Sequence, residues 1–224
     1  MTDRGRIDGA AGAARPQAIP QGARPGDARA FSPASQRNRQ PILEVLARVL
    51  PGSGLVLEVA SGSGEHALWF AQHLRPLAWQ PSDPDPACRR SIAAHATTAH
   101  CPSLRAPFDL DVTEAIWPIE RADAIVCINM VHIAPWAATE GLMAGSARCL
   151  PPGGVLYLYG PYRRGGEHTA PSNAAFDESL RARNPAWGLR DVEAVAESAR
   201  AQGLTLGDIV EMPANNLSLI LTRT

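Results

Sequence analysis

The chain has 224 residues, with 21 basic and 22 acidic side chains and a formal net charge of −1. That length supports one domain with a full core, not a cofactor domain plus a separate catalytic domain, and the near-zero charge supplies no basic field for nucleic acid. Every basic residue is arginine, which excludes a Schiff-base lysine, a phosphate-loop lysine and the Tyr-x-x-x-Lys pair of short-chain dehydrogenases.

The cysteines (Cys88, Cys101, Cys127, Cys149) never fall at Cys-x-x-Cys spacing, and the histidines form no ligand pair with them, so neither a metal site nor a disulfide framework is expected. No apolar run approaches the ~18 residues of a membrane span and no signal-peptide core stands near the start. A soluble, cytoplasmic protein without membrane or nucleic-acid partners is expected.

Residues 1 to about 30 are rich in Ala, Gly, Arg and Pro and have almost nothing to bury, so they read as a solvated, disordered tail. Order is expected from Phe31. Ile42, Leu43, Val45, Leu46, Val49 and Leu50 recur at helical spacing, and Pro51-Gly52 stops that helix. Arg37 and Asn38 precede the apolar run, either as a solvated helix start or as contacts for a ligand's carboxylate.

The stretch that organises the chain is Leu55-Val56-Leu57-Glu58-Val59-Ala60-Ser61-Gly62-Ser63-Gly64-Glu65-His66. A β-favouring run feeds a glycine elbow and then a helix. In open parallel sheets ligands bind beyond the carboxyl ends of strands, and glycine lets a nucleoside approach the backbone without meeting a Cβ. Two cofactors compete for this elbow. Gly62-x-Gly64-x-x-Ala67 satisfies a dinucleotide fingerprint, with Asp83 19 residues beyond Gly64. Glu58 argues instead for S-adenosylmethionine (SAM), because a carboxylate favours the cationic amino group and sulfonium and repels a pyrophosphate.

Ala67 to Leu74 gives a helix face, and Leu77 to Pro81 a second strand ending at Ser82-Asp83. Asp83 either takes the ribose hydroxyls or caps the helix expected from Pro84. A third strand is expected over Leu104 to Leu110. Asp111 then either accepts from the adenine amine or forms a turn. Ala122 to Met130 is a near-continuous apolar run of the kind that central parallel strands show, releasing Asn129 and His132 at its carboxyl end. His132 is either a core histidine or a catalytic base. A helix over Leu142 to Leu150 leads to a strand at Val155 to Tyr159. Residues 160 to 190, which include Tyr162, are long enough for a substrate-selecting lid. A helix over Asp191 to Ala201 precedes two terminal strands, Leu204 to Met212 and Leu217 to Leu221, joined as an antiparallel hairpin.

From about Phe31 onward the chain resembles the methyltransferase-like protein 26 family, a branch of the class I SAM-dependent methyltransferases. The strings that carry the likeness are Arg37-Asn38 before Pro41-Ile42; Leu57 to Gly64; Trp79-Gln80-Pro81-Ser82-Asp83; Leu110-Asp111-Val112-Thr113; Cys127-Ile128-Asn129-Met130; Tyr159-Gly160-Pro161-Tyr162; Asn184 to Asp191; and Met212 to Asn216. The resemblance implies an α/β fold with a Rossmann-like, seven-stranded, mostly parallel sheet, an antiparallel C-terminal strand and helices on both faces. It also implies one domain over 31–224 and SAM as cofactor.

The expected cofactor residues are Arg37, Asn38, Glu58, Ala60, Ser61, Gly62, Gly64, Asp83, Asp111 and Asn129. His132, Tyr162 and the 160–190 insertion are expected to face a small-molecule acceptor. The wider class usually has glycine where Ala60 stands, and Asn129 is not followed by the Pro-Pro-Tyr of amine methylases, so the likeness names no acceptor. A non-catalytic SAM-binding partner protein and a nicotinamide-dependent reductase are the competing expectations.

Overall fold

A computed structural model describes residues 27–224. The expected tail falls almost entirely on residues 1–26, outside the described residues. Residues 27–30 are placed against the body, where the amide of Ala30 donates to Ser91 Oγ and its carbonyl meets His95 Nε2.

The elements in chain order are α1 (Pro33–Val49), β1 (Leu55–Val59), α2 (Glu65–His73), β2 (Ala78–Pro81), α3 (Pro86–Ala99), β3 (Ala124–Ile128), α4 (Trp136–Cys149) and β4 (Val155–Gly160). There follow a short hairpin of β5 (Arg163–Arg164) and β6 (Glu167–His168), then α5 (Pro171–Arg183), α6 (Val192–Ala201), β7 (Leu204–Met212) and β8 (Asn216–Arg223). Helix α1 begins nine residues before the apolar run. Ser32 caps it, its Oγ accepting from the Ser35 amide, and Pro33 opens it. Ser-Pro is a helix-start signal, and Pro41 lies within the helix instead of limiting it. Arg37 and Asn38 are therefore helical.

The main sheet has the order β2-β1-β3-β4-β8-β7, with β2, β1, β3 and β4 parallel and β8 and β7 antiparallel. It has six strands, not the seven expected. The segment read as a strand over Leu104 to Leu110 does run beside β2, but it pairs only at Trp79↔Leu104 and Ser82↔Phe108. Pro81 and Pro107 lack the N–H that a continuous ladder needs, so hydrogen bonds form at Ser103, Arg105 and Phe108 and lapse between.

The period-2 alternation of the strands sorts the core into two layers. Leu57, Val59, Cys127, Leu156 and Leu158 pack with α4 and α6. Val56, Trp79, Tyr157 and Tyr159 face α1 and α2. Glu58 falls in register with Val56, so its carboxyl is buried on the α1/α2 side. The 160–190 insertion forms the β5–β6 hairpin and α5. It is tied back by a 2.6 Å ion pair from Arg163 to Asp191 and by the amide of Gly188 donating to the His132 carbonyl. Among the described residues no helix is long and apolar enough to cross a membrane.

Candidate functional site

A cavity of about 390 Å³ lies over the carboxyl ends of β2, β1 and β3. Its floor is the elbow, Ala60 to Ser63. Asp83, Pro84, Ala87, Cys88, Arg90 and Ser91 wall one side, Ile128 to Met130 and Ile133 the other, and residues from Asp27 to Ser35 pass over it. His66 enters from the first turn of α2.

The elbow is built by backbone geometry. Ala60, Gly62 and Gly64 all take positive φ (55°, 57° and 88°), a region that costs an alanine about 1–2 kcal/mol. The two glycines serve different ends. A Cβ on Gly62 would meet nothing within 4 Å, because that position opens on the cavity. A Cβ on Gly64 would come within 2.8 Å of the Ile92 Cα, so Gly64 is the close contact of α2 with α3 and does not line the cavity.

Asp83 joins the ends of β1 and β2. One carboxylate oxygen accepts from the Gly62 amide and the other from the Asp85 amide, both at 2.9 Å. Asp85, not Asp83, caps the following helix, accepting from Ala87 N at 2.7 Å, and α3 starts at Pro86, not at Pro84. The cap reading of Asp83 is thereby corrected. Each of its oxygens keeps a lone pair for a ligand hydroxyl. Burial raises its pKa, while the two amides oppose that rise.

Glu58 sits behind the elbow and not on the cavity wall. The Trp79 indole donates to it at 2.5 Å, and the hydroxyls of Ser61 and Ser82 bind its carbonyl. Desolvation pushes its pKa up to about 8, against the pull of the indole. Near neutral pH this carboxyl is mostly protonated, so the electrostatic argument that it repels a pyrophosphate does not hold as drawn from sequence. Ser61 and Asn129 line the cavity, Asn129 with φ 66° and its backbone amide donating to the Tyr159 carbonyl.

Other expected residues stand away from the cavity lining. Arg37 is exposed on α1. Asn38 pairs with His66 Nε2 at 2.8 Å. Asp111 closes a turn, accepting from the Thr113 amide and hydroxyl at 3.0 and 2.7 Å. His132 is buried under the insertion with its ring edge-on to Phe176, and burial lowers its pKa to about 3. Tyr162 lies in the α4/α6 core layer with its hydroxyl unpartnered and its pKa raised by burial.

Sequence reasoning passed over His66, although a polar residue four before the buried Phe70, on the same helical stripe, was a readable signal. It also passed over the covering segment, whose Phe31 is held edge-on by His95.

Sheet order, strand-end cavity and antiparallel edge together define a Rossmann-like α/β fold. The chain belongs to the family described as a protein of unknown function, DUF938, whose model matches residues 29–223. Among solved structures it is similar to an O-methyltransferase family protein from Burkholderia thailandensis, at 19% identity and a TM-score of 0.73 over 85% of this chain and 57% of that one. A methyltransferase of calicheamicin biosynthesis, CalO1, solved in its S-adenosylhomocysteine (SAH)-bound form, is 17% identical with a TM-score of 0.66 over 83% of this chain and 54% of that one. The cyclase SpnF is 17% identical with a TM-score of 0.61 over 78% of this chain and 60% of that one. The chain thus spans less than two thirds of the length of each.

Two expected outcomes follow. Gly64→Ala, which adds a backbone clash to an unfavourable φ, lowers unfolding free energy by about 3 kcal/mol in urea titrations, and Gly62→Ala by only about 1 kcal/mol. The raised carboxyl of Glu58 means that the folded state binds the extra proton between pH 4.5 and about 8, so its contribution to stability is full below that window and is lost as pH rises through it, at up to about 1.4 kcal/mol per pH unit. Buried neutral His66 and His132 act in the opposite sense below pH 6.5. The wild-type urea midpoint therefore falls further than that of Glu58→Gln between pH 6.5 and 8, and parallel curves would contradict the assignment.

Proposed function

We propose that the protein is a class I SAM-dependent methyltransferase acting on a small-molecule acceptor, and that within the class it stands with the methyltransferase-like protein 26 branch. The observation that carries this reading is the cavity at the sheet's switch point, with Asp83 at one end and the Cβ-free face of Gly62 open to it. These residues fit a nucleoside. Asp83 would accept from the ribose hydroxyls, Gly62 and Ser61 would lie under the sugar and tail, Pro84, Ala87 and Cys88 would flank the base, and Asn129 would meet the tail beside β3. The SAH-bound neighbour of the same fold supports the choice of cofactor.

The bound cofactor supplies an electrophilic methyl on a sulfonium. Residues of this chain would do the rest by position, since an in-line displacement gains most from holding the reacting atoms about 3–3.5 Å apart and aligned. The segment over Asp27 to Ser32 would exclude water from the reacting end. His132 acts from beneath in this reading, wedged between Gly160 and Phe176 and setting how the insertion sits against the end of β4. Tyr162 anchors the start of that insertion in the core.

A second reading, cofactor binding without methyl transfer, is favoured by one observation. Neither His132 nor Tyr162 lines the cavity, and the same fold serves the cyclase SpnF. A metabolite screen with a methyl-labelled donor separates the two, because only the enzyme moves label into a product.

For the cofactor itself, calorimetry is expected to give saturable binding of SAM and SAH. Asp83→Ala should weaken both about tenfold or more, the effect of removing a charged partner from two hydroxyls. Equal affinity in the two proteins would take Asp83 out of the site.

A further inference from the structure

Resting on the cofactor reading and deepening it, we propose that His66 Nδ1 accepts a hydrogen bond from the ammonium at the cofactor's tail, with Asn38 holding the ring in place. His66 lines the cavity and is 7% exposed. Its Nε2 meets Asn38 Oδ1 at 2.8 Å. An amide oxygen can only accept, so Nε2 carries the hydrogen and Nδ1 carries the lone pair. Phe70 stacks parallel to the ring, 5.5 Å away with 2° between planes, and fixes its tilt. Nδ1 has no partner among the described residues.

The rest of the wall leaves the ammonium few acceptors. Sheet order places β1 between β2 and β3, so a ligand whose sugar rests on Asp83 extends its tail across the elbow toward β3. Asp27 is engaged by Arg29 at 2.7 Å, and Glu58 is sealed behind the wall by Trp79. Besides the serines, the uncharged polar side chains of the lining are Asn129, at the end of β3, and His66, in the first turn of α2. A neutral imidazole suits a ligand with two positive centres, since a protonated one would repel both. Burial and the nearby Arg39 hold it neutral, lowering its pKa to about 4.

The test compares SAH with 5′-methylthioadenosine, which keeps the nucleoside and sulfur but lacks the amino-acid end. Asparagine at position 66 sets an amide oxygen near the place of Nδ1, and glutamine sets its amide near Nε2. His66→Gln should lose about tenfold or more in SAH affinity, His66→Asn should stay within about threefold of wild type, and all three proteins should bind methylthioadenosine alike. Should His66→Gln fail to fold, Asn38→Ala should show the same selective loss at smaller amplitude. Unchanged SAH affinity, or equal loss of both nucleosides, overturns the proposal. Wild-type protein that binds neither nucleoside overturns the cofactor reading itself, and this proposal with it.

Discussion

The structure of the site depends on one buried carboxylate, Asp83, taking the amide of Gly62. That bond joins the loop after β2 to the elbow after β1 and fixes the left-handed turn of the glycine. The turn in turn leaves bare backbone facing a cavity. A buried carboxylate must be satisfied, and Asp83 is satisfied only in part by Gly62 and Asp85, so its remaining lone pairs are available to a ligand. Structure and recognition thus share one side chain.

Around that bond the burial of polar groups is layered. Glu58 lies in the second layer, where Trp79 and the serines of the elbow tie strand ends together. Its neutral state near pH 7 spares the sheet a buried charge. Glu65 plays the matching part at the rim, accepting from the Ser32 amide, from Gln36 and from the Ser63 hydroxyl, which fastens the covering segment and α1 to the elbow. Polar contacts at Glu65 thereby tie the cavity's roof to its floor, beside the apolar packing of α1 on α2.

Much of the fold was legible in the sequence because hydrophobic period and turn chemistry agree with it. The run at β3, the Pro-Pro-Gly-Gly stop after α4 and the terminal hairpin all stand where pattern places them. The seventh strand failed because apolar character does not reveal that Pro81 and Pro107 break a ladder from opposite sides. Helix α1 starts nine residues before the apolar run because Ser32 and Pro33 open it, while residues 33–41 carry no apolar periodicity to show it. Within the site, Ala60, Ser61, Gly62, Asp83 and Asn129 were recoverable, since they sit at strand ends where the chain's direction is fixed by topology. Strand alternation sends Glu58 toward α1 and α2, off the cavity lining, which its position in the motif does not disclose. His66 and the Asp27 to Ser32 cover depend on contacts between distant segments, which no local pattern encodes.

The most direct measurement is a crystal structure of the protein grown with saturating SAH. The account predicts the ribose hydroxyls within about 3.2 Å of the Asp83 carboxylate, with the nucleoside lying over Gly62 beneath the Asp27 to Ser32 segment. Density for the nucleoside elsewhere, or side chains filling the elbow cavity, would contradict it.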